Sequence, residues 1–78
     1  MTSTIKQITK RTQTLTAILY KEEDVYVAEC PEVGTASQGE SIEEAITNLK
    51  EATELYLEEF PFPETSPRLL TTFEVAIA

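Results

Sequence analysis

Between Ser41 and Phe60, the side chains of Ile42, Ala45, Ile46, Leu49, Thr53, Tyr56 and Phe60 recur at steps of three and four. That is the period of one face of an α-helix. Glu43, Lys50, Glu51, Glu54, Glu58 and Glu59 occupy the remaining positions, so the helix is amphipathic. Ser41 and Glu44 stand at capping-box spacing: the serine hydroxyl accepts from a first-turn N–H while the glutamate reaches back to the serine N–H. Pro61 ends the pattern by removing a donor and biasing Phe60 out of the helical region. A helix of this length measures about 30 Å and needs an apolar surface beneath it.

The flanking segments follow the other period. Thr14–Tyr20, TLTAILY, is β-branched and apolar, and so is VYVAEC over residues 25–30; both read as strands. The four charged residues Lys21-Glu22-Glu23-Asp24 between them predict an antiparallel hairpin. Pro31-Glu32-Val33-Gly34 is a turn, and Thr35–Gln38 a short third strand. Gly39 is expected to supply a backbone angle that other residues resist, at the bend into the helix. Residues 61–67 hold three prolines and form a stiff, extended linker. Beyond it Leu69, Thr71, Phe73, Val75 and Ile77 alternate with Leu70, Thr72, Glu74, Ala76 and Ala78, which predicts a last strand with its larger side chains towards the helix. The fold class is therefore α+β: three antiparallel strands, one long amphipathic helix and one further strand. Residues 1–13 are a polar, basic N-terminal arm, and 14–78 a single domain.

Both faces of the first two strands carry apolar groups, Ile18 and Tyr20 opposite Leu15, Ala17 and Leu19, then Val25 and Val27 opposite Tyr26 and Ala28. One helix covers one face. The other face and the edge of the last strand predict self-association, with Ile18, Tyr20, Phe73, Val75 and Ile77 at the contact. Size points the same way. A chain of 78 residues buries only about 60–65% of its unfolded surface, and it has no histidine and one cysteine, so neither a metal nor a disulfide staple is evident. A homodimer or higher oligomer is expected.

The formal charge is −8, from 14 acidic and 6 basic residues. Residues 41–60 hold six of the glutamates against Lys50 alone, a net of −5. This surface repels phosphate backbones, so direct binding to nucleic acid or to anionic membranes is not expected; a basic protein partner is. No apolar run approaches the roughly 20 residues of a membrane span, and MTSTIKQITK has no signal-peptide core. A lone cysteine fits a reducing compartment, and the expected location is the cytoplasm.

Candidate chemistry is sparse. Without histidine, acid–base work falls to carboxylates, tyrosine or lysine. Asp24, Glu29 and Glu32 gather around the second strand and would be the ligands of a Mg²⁺-dependent nuclease. Asp24 and Glu29 are separated by about 16 Å of strand, however, and read better as turn and strand-end charges. Cys30 lacks a His or CxxC partner, and Gly34 and Gly39 do not form a phosphate loop. Tyr20, Tyr26 and Tyr56 are core and interface aromatics. No catalytic residue, cofactor or metal is assigned.

The run Tyr26-Val27-Ala28-Glu29-Cys30-Pro31-Glu32-Val33-Gly34, then Ser37-Gln38-Gly39-Glu40-Ser41, Glu43-Glu44-Ala45, Asn48-Leu49 and Glu51-Ala52, resembles the HicB-like antitoxin family over about residues 14–60. The resemblance implies the β-β-β-α-β order already read, a partial ribonuclease-H-like fold. It also implies a role: binding and covering a small basic RNA-cleaving toxin of the HicA kind. An acidic inhibitor of a basic ribonuclease agrees with the charge. Tyr26, Glu29, Glu32, Gln38, Glu40, Glu51 and Glu54 are the candidate protein-binding residues. Many relatives continue into a DNA-binding domain; this chain reads as a short form without one, so autorepression by this chain alone is not expected. The alternative role is a solitary structural or regulatory homo-oligomer without a toxin partner.

Overall fold

The computed structural model describes residues 12–64 and 68–78. Three strands, β1 (Ile18–Glu22), β2 (Val25–Cys30) and β3 (Thr35–Gly39), precede the helix α1 (Ile42–Glu59). They form an antiparallel sheet in the order β1-β2-β3, an α+β architecture. β1 extends through Glu22, which pairs with Val25. The hairpin loop is therefore the two residues Glu23-Asp24, shorter than the four charges suggest, and Glu23 takes the left-handed angle, φ 55°, that two-residue hairpins require at the first central position.

β1 starts later than the apolar pattern does, and Pro31 explains why. Extending the pairing of Ile18 with Glu29 would set Thr16 opposite Pro31, which has no N–H to donate. Thr16 is caught instead by the Glu32 carboxylate. At the far end of β2, the turn closes with the Gly34 N–H on the Cys30 carbonyl, 2.7 Å, and Gly34 sits at φ 94°, where a side chain is strained.

The start of α1 forms as its sequence predicts, with one exchange. The Glu44 N–H donates to Ser41 Oγ, 3.0 Å, but the Glu44 carboxylate accepts from the Glu40 N–H, 2.7 Å, and not from that of Ser41. The helix ends at the Phe60 cap, whose N–H donates to the Tyr56 carbonyl. α1 lies over β3 and β2. Two side-chain bonds fix it to β3: Thr35 Oγ1 to Thr53 Oγ1, 2.6 Å, and Asn48 Nδ2 to the Gln38 carbonyl, 2.8 Å.

The role expected of Gly39 is corrected. Its φ is not left-handed. What it provides is closeness: a Cβ there would stand 2.6 Å from the Ala45 nitrogen and 2.9 Å from Glu44. Ala28 and Ala45 are fully buried at the same contact, joined by Cys30 and Leu49. Leu15, Ala17, Leu19, Tyr26 and Val33 pack around this cluster.

Two further expectations are overturned. Of the predicted apolar stripe of α1, only Ala45, Leu49 and Thr53 are buried, while Ile42, Ile46, Tyr56 and Phe60 remain exposed. At the C-terminal end the lengths do not match: the 18 residues of α1 span about 27 Å, whereas the five residues of β3 span about 17 Å. Tyr56 and Phe60 therefore overhang the sheet, while Ile42 and Ile46 at the helix start lie to the side of the buried Ala45–Leu49 line. Tyr56 and Phe60 stack on each other, centroids 4.6 Å apart, and not on the sheet. The last strand does not form either. Residues 68–78 have no regular structure, and Leu69, Phe73 and Ile77 are 94%, 84% and 88% exposed. They gain no partner strand among the described residues, and a strand without a ladder has no hydrogen bonds to hold it. The N-terminal arm and residues 65–67 of the linker lie outside the described residues, apart from Thr12 and Gln13, which are exposed.

Gly39→Ala should cost about 1–3 kcal/mol, because helix backbone must yield. For a domain this small, thermal unfolding should then shift down by at least about 4 °C. Ser41→Ala removes one cap acceptor and should cost about 0.5–2 kcal/mol. An unchanged melting temperature in either variant would contradict the helix–sheet contact or the cap assigned to it.

Candidate protein-binding surface

Strand alternation divides the sheet into two faces. Leu19, Tyr26, Ala28, Cys30, Ser37 and Gly39 point towards α1. The register Tyr20 to Val27 to Gln38, with Ile18 to Glu29 to Ala36 beside it, builds the opposite face, which no element of the described chain covers. Its centre is apolar, with Ile18 and Tyr20 exposed and Val25 and Val27 half-buried. Glu22 and Glu29 on the same face make it negative. The Tyr20 hydroxyl donates to Glu29 Oε2, 3.2 Å. That bond, with partial desolvation and the charges of Glu29 and Glu22, raises the phenol above its ordinary value, so Tyr20 stays a neutral donor.

The outer side of α1 is a second surface of one sign. Glu43, Glu44, Glu51, Glu54, Glu58 and Glu59 are all exposed. Lys50 reaches Glu54 at 3.9 Å, an exposed i,i+4 pair of small energetic weight, which leaves most of the glutamate charge uncompensated.

A third cluster closes the end of the sheet. Glu32 accepts from the Thr16 N–H, 3.1 Å, and from the Thr16 hydroxyl, 2.7 Å; the Cys30 thiol donates to it at 3.6 Å. The Thr16 hydroxyl foremost, against a partial burial that acts the other way, and then backbone N–H groups and the thiol, hold its carboxyl below the ordinary 4.5. Among the described residues, no group of three or more His, Cys, Asp or Glu is placed to hold a metal ion. Asp24 lies in the hairpin loop and Glu29 opposite Ile18, at the other end of β1.

The fold and these surfaces can be set beside known proteins. No family model and no solved structure matches the chain. A UPF0150 protein of Helicobacter pylori (strain J99) is 39% identical over 70 residues, covering 82% of this chain and 97% of that protein. The chain belongs to the UPF0150 family. A UPF0150 protein of Synechocystis sp. (strain PCC 6803) is 50% identical over 60 residues, covering 74% of this chain and 71% of that protein.

In this UPF0150 protein the seven residues singled out from the sequence do not form one patch. Glu29 and Gln38 share the uncovered sheet face with Ile18 and Tyr20. Glu51 and Glu54 are exposed on α1, and Glu40 precedes it. Tyr26 is turned to the helix side, half-buried, with the Lys21 ammonium 5.6 Å from its ring centroid. Glu32 is occupied by Thr16. Phe73, Val75 and Ile77 stand on the exposed C-terminal segment, apart from any sheet edge. No helix among the described residues is long and apolar enough to cross a membrane.

The Thr16–Glu32 contact was not legible in the sequence. Its one signal was Pro31, which denies Thr16 a strand partner. Because folding lowers the Glu32 pKa, its contribution to stability is present above the unfolded value, near pH 4.5, and disappears as pH falls through the folded value. Glu32→Gln should therefore lower the melting temperature at pH 7, with the gap to the unaltered chain narrowing from about pH 4.5 downwards. A gap that stays constant from pH 7 to pH 3 would show that the Glu32 charge does not hold Thr16.

Proposed function

We propose that this UPF0150 protein is an antitoxin-type binding module that sterically neutralises a small basic RNA-cleaving toxin of the HicA kind. The observation that carries this reading is the sign and placement of the charge. The exposed outer face of α1 has six glutamates and one lysine, and the apolar sheet face is bordered by Glu22 and Glu29. A cationic protein with an apolar RNA-binding surface complements both, since opposed fields speed encounter and favour the correct partner while desolvated apolar contacts supply affinity. The HicB-like pattern of residues 14–60 supports the same reading, and the UPF0150 family includes HicB-like antitoxin-type proteins. The module acts by covering its partner and uses no catalytic group of its own. It works in the cytoplasm, where such a toxin meets mRNA.

A second reading, a structural or regulatory homo-oligomer with no toxin, is favoured by the exposed Leu69, Phe73 and Ile77. Native mass spectrometry of the protein drawn from its own cells separates the two: the first gives a stoichiometric small basic companion, the second homo-oligomers alone. With the companion in hand, the purified protein should suppress its RNA cleavage at equimolar ratio. Reversing Glu51, Glu54 and Glu58 together to lysine should slow association at least about tenfold at low salt and leave the melting temperature nearly unchanged. An association rate insensitive to both the reversal and salt would remove the electrostatic argument.

A further inference from the structure

α1 sits over β3 and β2, so the flank beside β1 is open. There a groove of about 490 Å³ lies between α1 and the segment leading into β1, lined by Leu15, Ala17, Cys30, Ile46, Leu49 and Leu57 among others. Most of its surface is apolar, with Thr12, Gln13, Thr16, Lys50, Thr53 and Glu54 completing the lining, and Ile46 is exposed within it. Among the described residues β1 is the outer strand on this side, and its outward N–H and C=O groups, which begin next to the groove's Ala17 wall, have no ladder partner there. On the other edge, by contrast, Asn48 already holds the Gln38 carbonyl.

Among the described residues one segment matches this vacancy. Residues 69–78 alternate with strand period, and Leu69, Phe73, Val75 and Ile77 fall on one side of it. In the single chain Leu69, Phe73 and Ile77 are almost wholly in water and Val75 is 68% exposed. They reach their segment through Pro61, Pro63 and Pro67, a linker whose fixed φ angles favour an extended path over a fold back onto the parent domain. We propose that residues 69–78 of one copy add as a fourth strand to the β1 edge of a second copy. Phe73 and its neighbours enter the groove against Ile46 and Leu57. Two chains exchanging segments reciprocally close a twofold dimer, with every copy both giving and receiving a strand. This inference is independent of the antitoxin reading.

Two measurements on the full chain test it. Light scattering of the unaltered protein should give a mass at least twice its 8.7 kDa, and Phe73→Asp with Ile77→Asp should return it to one chain with the α1 helical signal kept. Disulfide trapping then identifies the geometry. Chains bearing Cys30→Ala and Ile46→Cys are coexpressed with differently tagged chains bearing Cys30→Ala and a cysteine at Phe73, Val75 or Ile77. On oxidation at least one pair should link the two tags in the majority of molecules. Both cysteines in one chain should likewise yield covalent dimers. A monomeric unaltered protein, a disulfide that closes within one chain, or no disulfide from any of the three positions would each overturn the exchange.

Discussion

The contact on which everything else rests is the descent of α1 onto the sheet, where Gly39 meets the helix backbone at Glu44 and Ala45 and the small Ala28 and Ala45 are buried together. Small residues permit that approach, and they also limit what it yields. Hydrophobic stabilisation scales with the apolar area removed from water, about 25 cal/mol per Å², and alanine and glycine have little to remove. Leu49 is the largest of the buried apolar side chains, and no large side chain is fully enclosed. The helix is thus held as much by its cap and by the Thr35–Thr53 and Asn48–Gln38 bonds as by burial.

A thin core has a counterpart on the outside. The apolar residues that would fill the interior of a larger domain are displaced to three places: the uncovered sheet face, the β1 flank of α1 and the C-terminal segment. On the sheet face and on α1 these apolar groups lie beside exposed glutamates, so contact there by a partner would also desolvate negative charge.

The sequence made the local structure legible and left much of the long-range structure unread. Periodicity with the Ser41–Glu44 spacing located α1 to within a residue, and the apolar run VYVAEC located β2, but the run Thr14–Tyr20 placed β1 four residues too early at its start and two at its end. What it could not convey was relative length. Nothing in the apolar stripe from Ile42 to Phe60 says that the sheet below is shorter than the helix. Likewise, alternation in residues 69–78 signals a strand without saying where its partner is, and an isolated strand has no ladder. Gly39 was correctly marked as necessary for the wrong reason, since a glycine demanded by proximity looks in sequence like one demanded by φ. The candidate binding residues scattered over several surfaces because acidic side chains carry no periodic signature of which neighbours they will share.

The strand order β1-β2-β3 repeats the order of the chain, and α1 follows to cover the last two strands. Elements that touch are mostly consecutive in the chain, which limits the loop-closure entropy lost before native contacts repay it, and even the Thr16–Glu32 and Thr35–Thr53 contacts span only 16 and 18 residues. The contacts of such a topology close in chain order, without waiting for distant segments. By the time Phe60 leaves the exit tunnel, every residue of β1, β2, β3 and α1 is already outside it, with the residues beyond Pro61 still to come.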